Sequence, residues 1–151
     1  MAEPNKDRRP GILFVDDEPI LCELLGTMLD NQPYSLMTAT SAEEGLAIID
    51  KTPVDLVLSD YMMHNMDGLE FLRRVRERQP FTTRIIATGY ASMDVFIDAI
   101  KDGRISRILH KPWDREEFLR VIKESIGGNR VRILRNTRED RYKQYAQEME
   151  K

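Results

Sequence analysis

The sequence predicts an α/β protein with a flavodoxin-like (βα)5 fold: a doubly wound parallel sheet of strand order 2-1-3-4-5, followed by a C-terminal helical extension. Two observations lead to this fold class. Five short apolar segments alternate with five segments of helical hydrophobic spacing, and this alternation favours parallel strands joined by right-handed helical crossovers. In addition, polar residues directly follow several apolar segments, where open α/β sheets place their functional groups.

The elements follow one another regularly along the chain. The predicted strands cover residues 12–15, 34–40, 55–59, 84–88 and 106–110. The predicted helices cover about 19–30, 41–51, 68–79, 92–101 and 114–126. Pro19 takes the favoured first position of its helix, Ser41 and Glu44 form a capping box, and Ser92 is the expected cap of the fourth helix.

The first predicted helix carries an apolar stripe that we expect to face the core. Its members are Ile20, Leu21, Leu24, Leu25, Met28 and Leu29. Cys22, the only cysteine in the chain, lies in the same segment and is expected to be a small buried residue. A single cysteine excludes an intrachain disulfide and a metal site built from several cysteines.

Charge and composition indicate how the chain is organised. We expect residues 1–10, which are polar and include two prolines, to be disordered, residues 11–127 to form one domain, and residues 128–151 to form a helical extension or linker. After Gly128, seven basic and four acidic residues give the tail a net charge of +3. Because the whole chain has a net charge of −3, residues 1–128 carry −6. An acidic body argues against nucleic acid as its ligand.

Membrane and export signals are not apparent in the sequence. No apolar segment approaches the ~18 residues that a membrane span needs. The first ten residues lack the apolar stretch of a signal peptide. The sequence therefore predicts a cytoplasmic protein that binds no membrane.

Three carboxylates follow strands that are neighbours in the predicted sheet. Asp16 and Asp17 come after the first strand and Asp60 after the third. At close range their repulsion would hold a proton on at least one of them unless a cation intervenes. Mg²⁺ suits a site of carboxylates, a backbone carbonyl, waters and phosphate oxygens. For Asp16 and Asp17 alone, helix capping is the alternative interpretation.

A hydroxyl and an ammonium group complete this edge of the sheet. Thr88 closes the fourth predicted strand and Lys111 follows the fifth. The hydroxyl can donate a hydrogen bond to a phosphoryl oxygen, and the ammonium can offset its charge. Each residue alone is ordinary at a strand end, but together with three carboxylates they fit phosphoryl transfer, which depends mainly on electrostatic positioning. We therefore expect Asp60 to accept a phosphoryl group.

Four short segments resemble the receiver domains of bacterial two-component response regulators. They are Phe14-Val15-Asp16-Asp17-Glu18, the stretch from Leu58 to Gly68, Ala87-Thr88-Gly89 and Lys111-Pro112-Trp113. They occur in the order and at the spacing of the family, over residues 11 to about 126. The segment from Gly103 to Trp113 is also similar to receivers that precede HD-type cyclic-dinucleotide phosphodiesterases.

The resemblance implies a role for each acidic residue. Asp60 would be the nucleophile that takes a phosphoryl group from the phosphohistidine of a sensor histidine kinase or phosphotransfer protein. Asp17, Asp60 and the backbone carbonyl of Met62 would hold Mg²⁺, and Asp16 would bind it mainly through water.

The resemblance also implies how the signal is formed and passed on. Thr88 would move toward the new phosphoryl group and Lys111 would pair with it, with the peptide bond from Lys111 to Pro112 in the cis form. The domain would catalyse only its own phosphorylation and dephosphorylation, so it is expected to be a signalling switch rather than a metabolic enzyme. Its expected partners are the kinase and a downstream output domain or protein, with a phosphorylation-dependent dimer as a further expectation.

Three positions depart from the family pattern. His64 stands where the family usually has proline, and it is either a metal-binding or phosphate-contacting residue or a plain loop substitution. Ile108 replaces the Tyr or Phe whose ring rotates inward, so the switch is either muted or transmitted through the loop after the fourth strand. Tyr90 either overhangs the site and slows the attacking water or packs on its own loop.

Alternatives stay open for the tail and for the function. Residues 129–151 contain no proline or glycine, and they form either a helix that packs on the domain or dimerises, or a frayed polar tail. The chain is either a single-domain regulator or part of a longer one. A degenerate receiver that binds partners without phosphorylation is the alternative function. A phosphatase of the haloacid-dehalogenase pattern would need an Asp-x-Asp nucleophile at strand one, which Asp16-Asp17-Glu18 does not supply.

Overall fold

The computed structural model describes residues 9–89 and 94–134, which form one parallel sheet covered by helices. The strands are β1 Gly11–Val15, β2 Ser35–Ala39, β3 Leu56–Asp60, β4 Thr83–Thr88 and β5 Arg107–His110. All neighbouring strands run parallel in the order 2-1-3-4-5. The predicted fold class and strand order are therefore confirmed. β3 extends one residue further than predicted, so Asp60 is its last residue.

Five helices lie within the described residues. They are α1 Pro19–Met28, α2 Ala42–Lys51, α3 Gly68–Arg78, α4 Asp94–Lys101 and α5 Arg115–Leu134. Ser41 Oγ caps α2 by accepting a hydrogen bond from Glu44 N at 3.1 Å. The Glu44 carboxylate accepts from Thr40 N at 3.4 Å, so only half of the predicted capping box forms. Asp67 caps α3 by accepting from Glu70 N at 2.9 Å.

The sheet has an apolar core on each face. Side chains on one face pack with α1 and α5, and those on the other face pack with α2, α3 and α4. β3 sends Leu56 and Leu58 to the first face and Val57 to the second, because successive side chains of a strand point in opposite directions. All three are fully buried, which is typical of a central parallel strand with helices on both sides.

The apolar stripe predicted for α1 is partly wrong. Ile20 is 76% exposed and Leu24 is 45% exposed, whereas Cys22 and Leu25 are buried. At roughly 100° per residue, Ile20 and Leu24 lie on the side of the helix opposite Cys22 and Leu25, and the sheet covers one side only. The prediction that Cys22 is a buried residue is confirmed.

α5 is longer than its predicted counterpart. It continues past Ile126 through Gly127 and Gly128 to Leu134, and its inner side buries Phe118 and Ile126. Each glycine in a helix interior costs roughly 1 kcal/mol relative to alanine, and the helix continues through both. The boundary between domain and extension near residue 127 stays a prediction.

Some predictions concern residues that the structure does not describe. These are the N-terminal segment through residue 8, the positions Tyr90 and Ser92, and the tail from residue 135 onward. Among the described helices, none combines the length and the apolar character that crossing a membrane would require.

A buried arginine secures the amino ends of β4 and β5. Arg84 is 5% exposed, and its guanidinium donates to the backbone carbonyls of Thr82, Arg104 and Gly103 at 2.8, 2.9 and 2.9 Å. A guanidinium has five N–H donors in a planar fork, and backbone carbonyls on several sides satisfy them. The charge is thus buried at the edge of the sheet opposite the acidic residues.

Candidate functional site

Three carboxylates meet at the carboxyl ends of β1 and β3. These strands are neighbours in the sheet, with Val15 paired to Ser59, so the residues that follow them come together. One oxygen from each of Asp16, Asp17 and Asp60 lies within 4.8 Å of the others. The Asp16 side chain is 1% exposed and that of Asp60 14% exposed, while Asp17 faces solvent more openly at 23%. The structure therefore forms the acidic cluster that the sequence predicts.

The carboxylates of this cluster do not cap α1. Asp16 Oδ1 accepts a hydrogen bond from Glu18 N at 2.9 Å, which holds the turn between β1 and the helix. Glu18 is the cap residue of α1 and makes no capping hydrogen bond through its side chain. Helix capping, the alternative interpretation of Asp16 and Asp17, is therefore not what the structure shows.

Lys111 joins two of the carboxylates. Its Nζ donates to Asp16 Oδ2 and to Asp60 Oδ1, each at 3.1 Å. The backbone N–H of Lys111 donates to the carbonyl of Thr88 at 2.9 Å, which ties the ends of β4 and β5 together. The peptide bond to Pro112 is cis, as the resemblance implies. A cation from β5 thus lies between the ends of β1 and β3.

Burial and mutual charge shift the pKa values of this group. Burial, opposed by Lys111 and assisted by Asp16, holds the pKa of Asp60 above its ordinary value. Burial alone would lower the pKa of the Lys111 ammonium, but the carboxylates of Asp60 and Asp16 outweigh it, so this pKa lies above its ordinary value. The three carboxylates therefore carry more negative charge than the Lys111 ammonium neutralises.

The donor set fits a hard divalent cation. The cluster holds three carboxylates, of which Lys111 contacts two. Every candidate ligand atom of the cluster is an oxygen, which is the donor that Mg²⁺ prefers. Two oxygens bound to one Mg²⁺ are at most about 4.2 Å apart, from bonds of about 2.1 Å each. The cluster spans up to 4.8 Å, so closing it around an ion requires only a small movement or a water on one side. Asp17, Asp60 and Asp16 would hold the ion.

The loop after Asp60 has a close backbone contact that sequence reasoning did not identify. Gly68 N donates to Tyr61 O at 2.8 Å. A Cβ on Gly68 would lie 2.4 Å from the carbonyl oxygen of Asp60 and 3.0 Å from Tyr61 Cα, so no other residue fits there without moving the backbone. The sequence predicts a helix that begins at Gly68, and a glycine at such a position also indicates a close approach of the backbone.

The structure describes four of the five other predicted site residues. Thr88 is 2% exposed at the end of β4. The Met62 side chain is 66% exposed in the loop after β3. His64 Nε2 lies 3.6 Å from Asp17 Oδ2. Ile108 is partly buried and packs on the core beside α2, α3 and α4, while Tyr90 falls outside the described residues.

An aromatic contact next to the site was also not predicted. The ring of Tyr61, directly after Asp60, meets the ring of Phe96 on α4 edge to face, with centroids 5.0 Å apart and planes at 86°. No local pattern indicates this pair, because the two residues are far apart in sequence and belong to different elements.

Comparison with known proteins identifies the family. The sequence model of the response regulator receiver domain matches residues 12–123. The chain is 36% identical over 115 residues to the transcriptional regulatory protein GlrR of Escherichia coli K12, covering 76% of this chain and 26% of that protein. It is 31% identical over 120 residues to the hydrogenase transcriptional regulatory protein HoxA of Cupriavidus necator, covering 80% and 25%. The chain thus spans about a quarter of the length of these relatives.

Solved structures give the same result. The signal receiver domain of an HD domain-containing protein from Pseudomonas fluorescens Pf-5 is 33% identical, with a TM-score of 0.78 over 87% of this chain and 97% of that one. A CheY-like response regulator receiver domain from Methanospirillum hungatei JF-1 is 28% identical, with a TM-score of 0.77 over 83% and 99%. The likeness to a receiver of an HD protein agrees with the sequence analysis. This chain belongs to the response regulator receiver domain family of two-component signalling proteins.

Proposed function

We propose that Asp60 of this receiver domain accepts a phosphoryl group from the phosphohistidine of a sensor histidine kinase or phosphotransfer protein. The observation that carries the proposal is the cluster of Asp16, Asp17 and Asp60, in which the Lys111 ammonium donates to Asp16 and Asp60. A divalent cation would supply the positive charge that such a cluster lacks, and a phosphoryl group would supply an electrophile for the Asp60 carboxylate. The receiver family binds Mg²⁺ in general, and the oxygen donors of this chain suit it.

The proposed reaction is a simple exchange of bonds. A carboxylate oxygen of Asp60 attacks phosphorus, the N–P bond of the donor imidazole breaks, and an O–P bond forms to give an acyl phosphate. Lys111 would offset the charge of the phosphoryl oxygens, and the Thr88 hydroxyl would donate to one of them. Bound Mg²⁺, held by Asp17, Asp60, the Met62 carbonyl and Asp16, would neutralise further negative charge. Hydrolysis of the acyl phosphate returns the site to its starting state.

The wider setting of this switch belongs to the same proposal. The relatives GlrR and HoxA are named as transcriptional regulatory proteins, and we propose that this receiver likewise acts on a downstream output domain or protein. Its role would be signalling in the cytoplasm rather than turnover of a metabolite. The complete set of acidic residues, hydroxyl and Lys111 argues for phosphorylation and against the degenerate-receiver alternative.

The decisive experiment is phosphorylation by acetyl phosphate with Mg²⁺, followed by intact-mass spectrometry. We expect wild-type protein to gain the mass of one phosphoryl group and Asp60→Asn to gain none, because the amide is not a nucleophile. Asp67→Asn is the matched control: Asp67 lies in the same loop, and asparagine also caps a helix, so this variant should be phosphorylated like wild type. An equal adduct on Asp60→Asn, or none on wild type, would refute the proposal.

A further inference from the structure

A histidine stands at the rim of the acidic cluster. His64 Nε2 lies 3.6 Å from Asp17 Oδ2. The His64 side chain is 91% exposed, and that of Asp17, at 23%, is the more open of the neighbouring carboxylates. The imidazole therefore approaches the cluster from the solvent side, whereas Lys111 contacts Asp16 and Asp60 from β5.

A tight turn places the backbone of His64 at this point. Met66 N donates to the carbonyl of His64 at 2.8 Å, and the intervening Asn65 has a φ of 69°, in the left-handed region that asparagine tolerates better than most residues. The turn comes four residues after Asp60, so His64 lies in the same loop as the proposed phosphoacceptor.

The spacing fits a shared metal ion. Bonds from a metal to a histidine nitrogen or a carboxylate oxygen are about 2.0 to 2.2 Å, so two ligands of one ion lie about 2.9 to 4.4 Å apart, depending on the angle between them. The observed separation of 3.6 Å between His64 Nε2 and Asp17 Oδ2 falls inside that range. This pair of atoms can therefore contact one ion. His64 is not among the residues whose ligand atoms all lie within 4.8 Å of one another, so the other two carboxylates would reach the same ion through water or a movement of the loop.

We infer that His64 is a nitrogen ligand for a divalent transition-metal ion, such as Mn²⁺ or Co²⁺, that is also bound by Asp17. This inference rests on the metal site of the proposed function and specifies its selectivity. Mg²⁺ takes oxygen ligands and keeps its waters, so it gains little from an imidazole, whereas first-row transition ions bind imidazole well. His64 would thus shift the preference of the site toward transition metals while leaving Mg²⁺ binding unchanged.

The first test uses isothermal titration at one fixed pH to compare the affinities of the 151-residue chain for Co²⁺ and for Mg²⁺. For His64→Gln we expect at least a roughly 10-fold weaker Kd for Co²⁺ and a Kd for Mg²⁺ within about 2-fold of wild type. The matched control is His110→Gln, because His110 is the only other histidine in the chain and is exposed at the end of β5. It should leave both affinities unchanged. Equal loss of Co²⁺ and Mg²⁺ binding in His64→Gln would overturn the inference. Unchanged Co²⁺ binding would also overturn it and would mean that His64 only pairs with Asp17 at the surface.

A spectroscopic measurement detects the ligand directly. Pulsed electron paramagnetic resonance of the Mn²⁺ complex should show coupling to a nitrogen nucleus in wild type and in His110→Gln, and none in His64→Gln. Wild type without nitrogen coupling would contradict the proposal, as would coupling that survives in His64→Gln.

The two proposals can fail separately. If Asp60 is not phosphorylated but Co²⁺ binding depends on both His64 and Asp17, the phosphoacceptor proposal falls and the nitrogen ligand stands. If His64→Gln lowers Co²⁺ affinity but Asp17→Asn does not, the ion binds elsewhere and the inference is wrong.

Discussion

The two edges of the sheet bury polar groups in opposite ways. At the carboxyl edge, Asp16, Asp17 and Asp60 form one cluster in which the Lys111 ammonium contacts Asp16 and Asp60, and burial raises the pKa of Asp60 although Lys111 opposes it. This edge has more negative charge than the protein itself neutralises. It is therefore less stable than it would be with a cation bound, and it is prepared for a ligand.

The amino edge satisfies its polar groups internally. Gln79 accepts a hydrogen bond from Val54 N at 2.9 Å and donates to the carbonyls of Ile49 and Thr52, both at 2.7 Å. Arg84 likewise donates to several backbone carbonyls. These side chains supply hydrogen bonds to backbone groups of the loops that burial keeps from water.

The difference separates polar residues that stabilise the fold from those available for chemistry. Burial alone does not distinguish them, since Arg84 and Asp16 are both buried and charged. What distinguishes them is whether the surrounding protein already supplies their partners. Substitutions at the amino edge should therefore reduce stability without changing phosphorylation, whereas replacing a charged residue at the carboxyl edge should change phosphorylation with little loss of stability.

The largest expected effect is on stability, from Arg84→Met. Loss of charged hydrogen bonds leaves several buried carbonyls without their donor, which should lower the free energy of unfolding by about 3 kcal/mol in urea denaturation. The fraction that remains folded should still be phosphorylated by acetyl phosphate at the wild-type rate. Arg73→Met is the control, because Arg73 pairs with Glu70 on the exposed face of α3 and should cost less than about 1 kcal/mol. Similar losses for both arginines would contradict the comparison.

Gly68→Ala should give an intermediate loss of stability and, unlike Arg84→Met, damage the site as well. The new Cβ would lie 2.4 Å from the carbonyl oxygen of Asp60, so the loop must shift, at a cost of about 2 kcal/mol. The same shift misplaces the Asp60 carboxylate, and the phosphorylation rate should fall at least roughly 10-fold.

Gly26→Ala is the control for that substitution. A Cβ on Gly26, in α1, meets nothing within 4 Å, so alanine should stabilise the protein by up to about 1 kcal/mol through its helix propensity and leave phosphorylation intact. A wild-type phosphorylation rate in Gly68→Ala would show that the close contact is not needed to position Asp60.

The smallest expected effect has the opposite sign and comes from Asp60→Asn in the presence of EDTA. The pKa of Asp60 is raised in the folded protein. The stability that protonated Asp60 contributes is therefore complete when the pH is below the pKa of Asp60 in the unfolded chain, and it is lost as the pH rises through the pKa in the folded chain. At neutral pH the charged carboxylate therefore destabilises the protein, and asparagine should raise the unfolding midpoint slightly.

Two conditions check the cause of that effect. Below about pH 3.8, the ordinary pKa of an aspartate, the advantage of Asp60→Asn should disappear because the wild-type carboxyl is protonated. With saturating Mg²⁺ the order should reverse, since the ion stabilises the wild-type site more strongly. Lower stability of Asp60→Asn in EDTA at neutral pH would mean that the ion pair with Lys111 outweighs burial.

The sequence predicted most of the carboxyl edge and almost none of the amino edge. Asp60 and Thr88 end buried apolar strands, and this pattern is visible in the local sequence. Parallel strands bring their carboxyl ends to one edge of the sheet. Gln79 and Arg84 make their contacts through backbone carbonyls of distant loops, and a backbone carbonyl has no sequence signature. The contact between Tyr61 and Phe96 also joins distant elements, so no local pattern indicates it. The apolar residues of α1 likewise do not show which side of the helix the sheet leaves uncovered.

By itself, the sequence determined the fold class and the members of the acidic cluster, because hydrophobic periodicity and the residues at strand ends are local properties. The strand order was expected only by analogy with flavodoxin-like folds, and the tertiary structure established it. The tertiary structure decided which charges are already paired. Lys111 could be placed at the edge from its position, but its simultaneous contact with Asp16 and Asp60, and the approach of His64 to Asp17, depend on the packing of separate elements. Coulomb energy depends on distance and burial, and only the folded chain sets those.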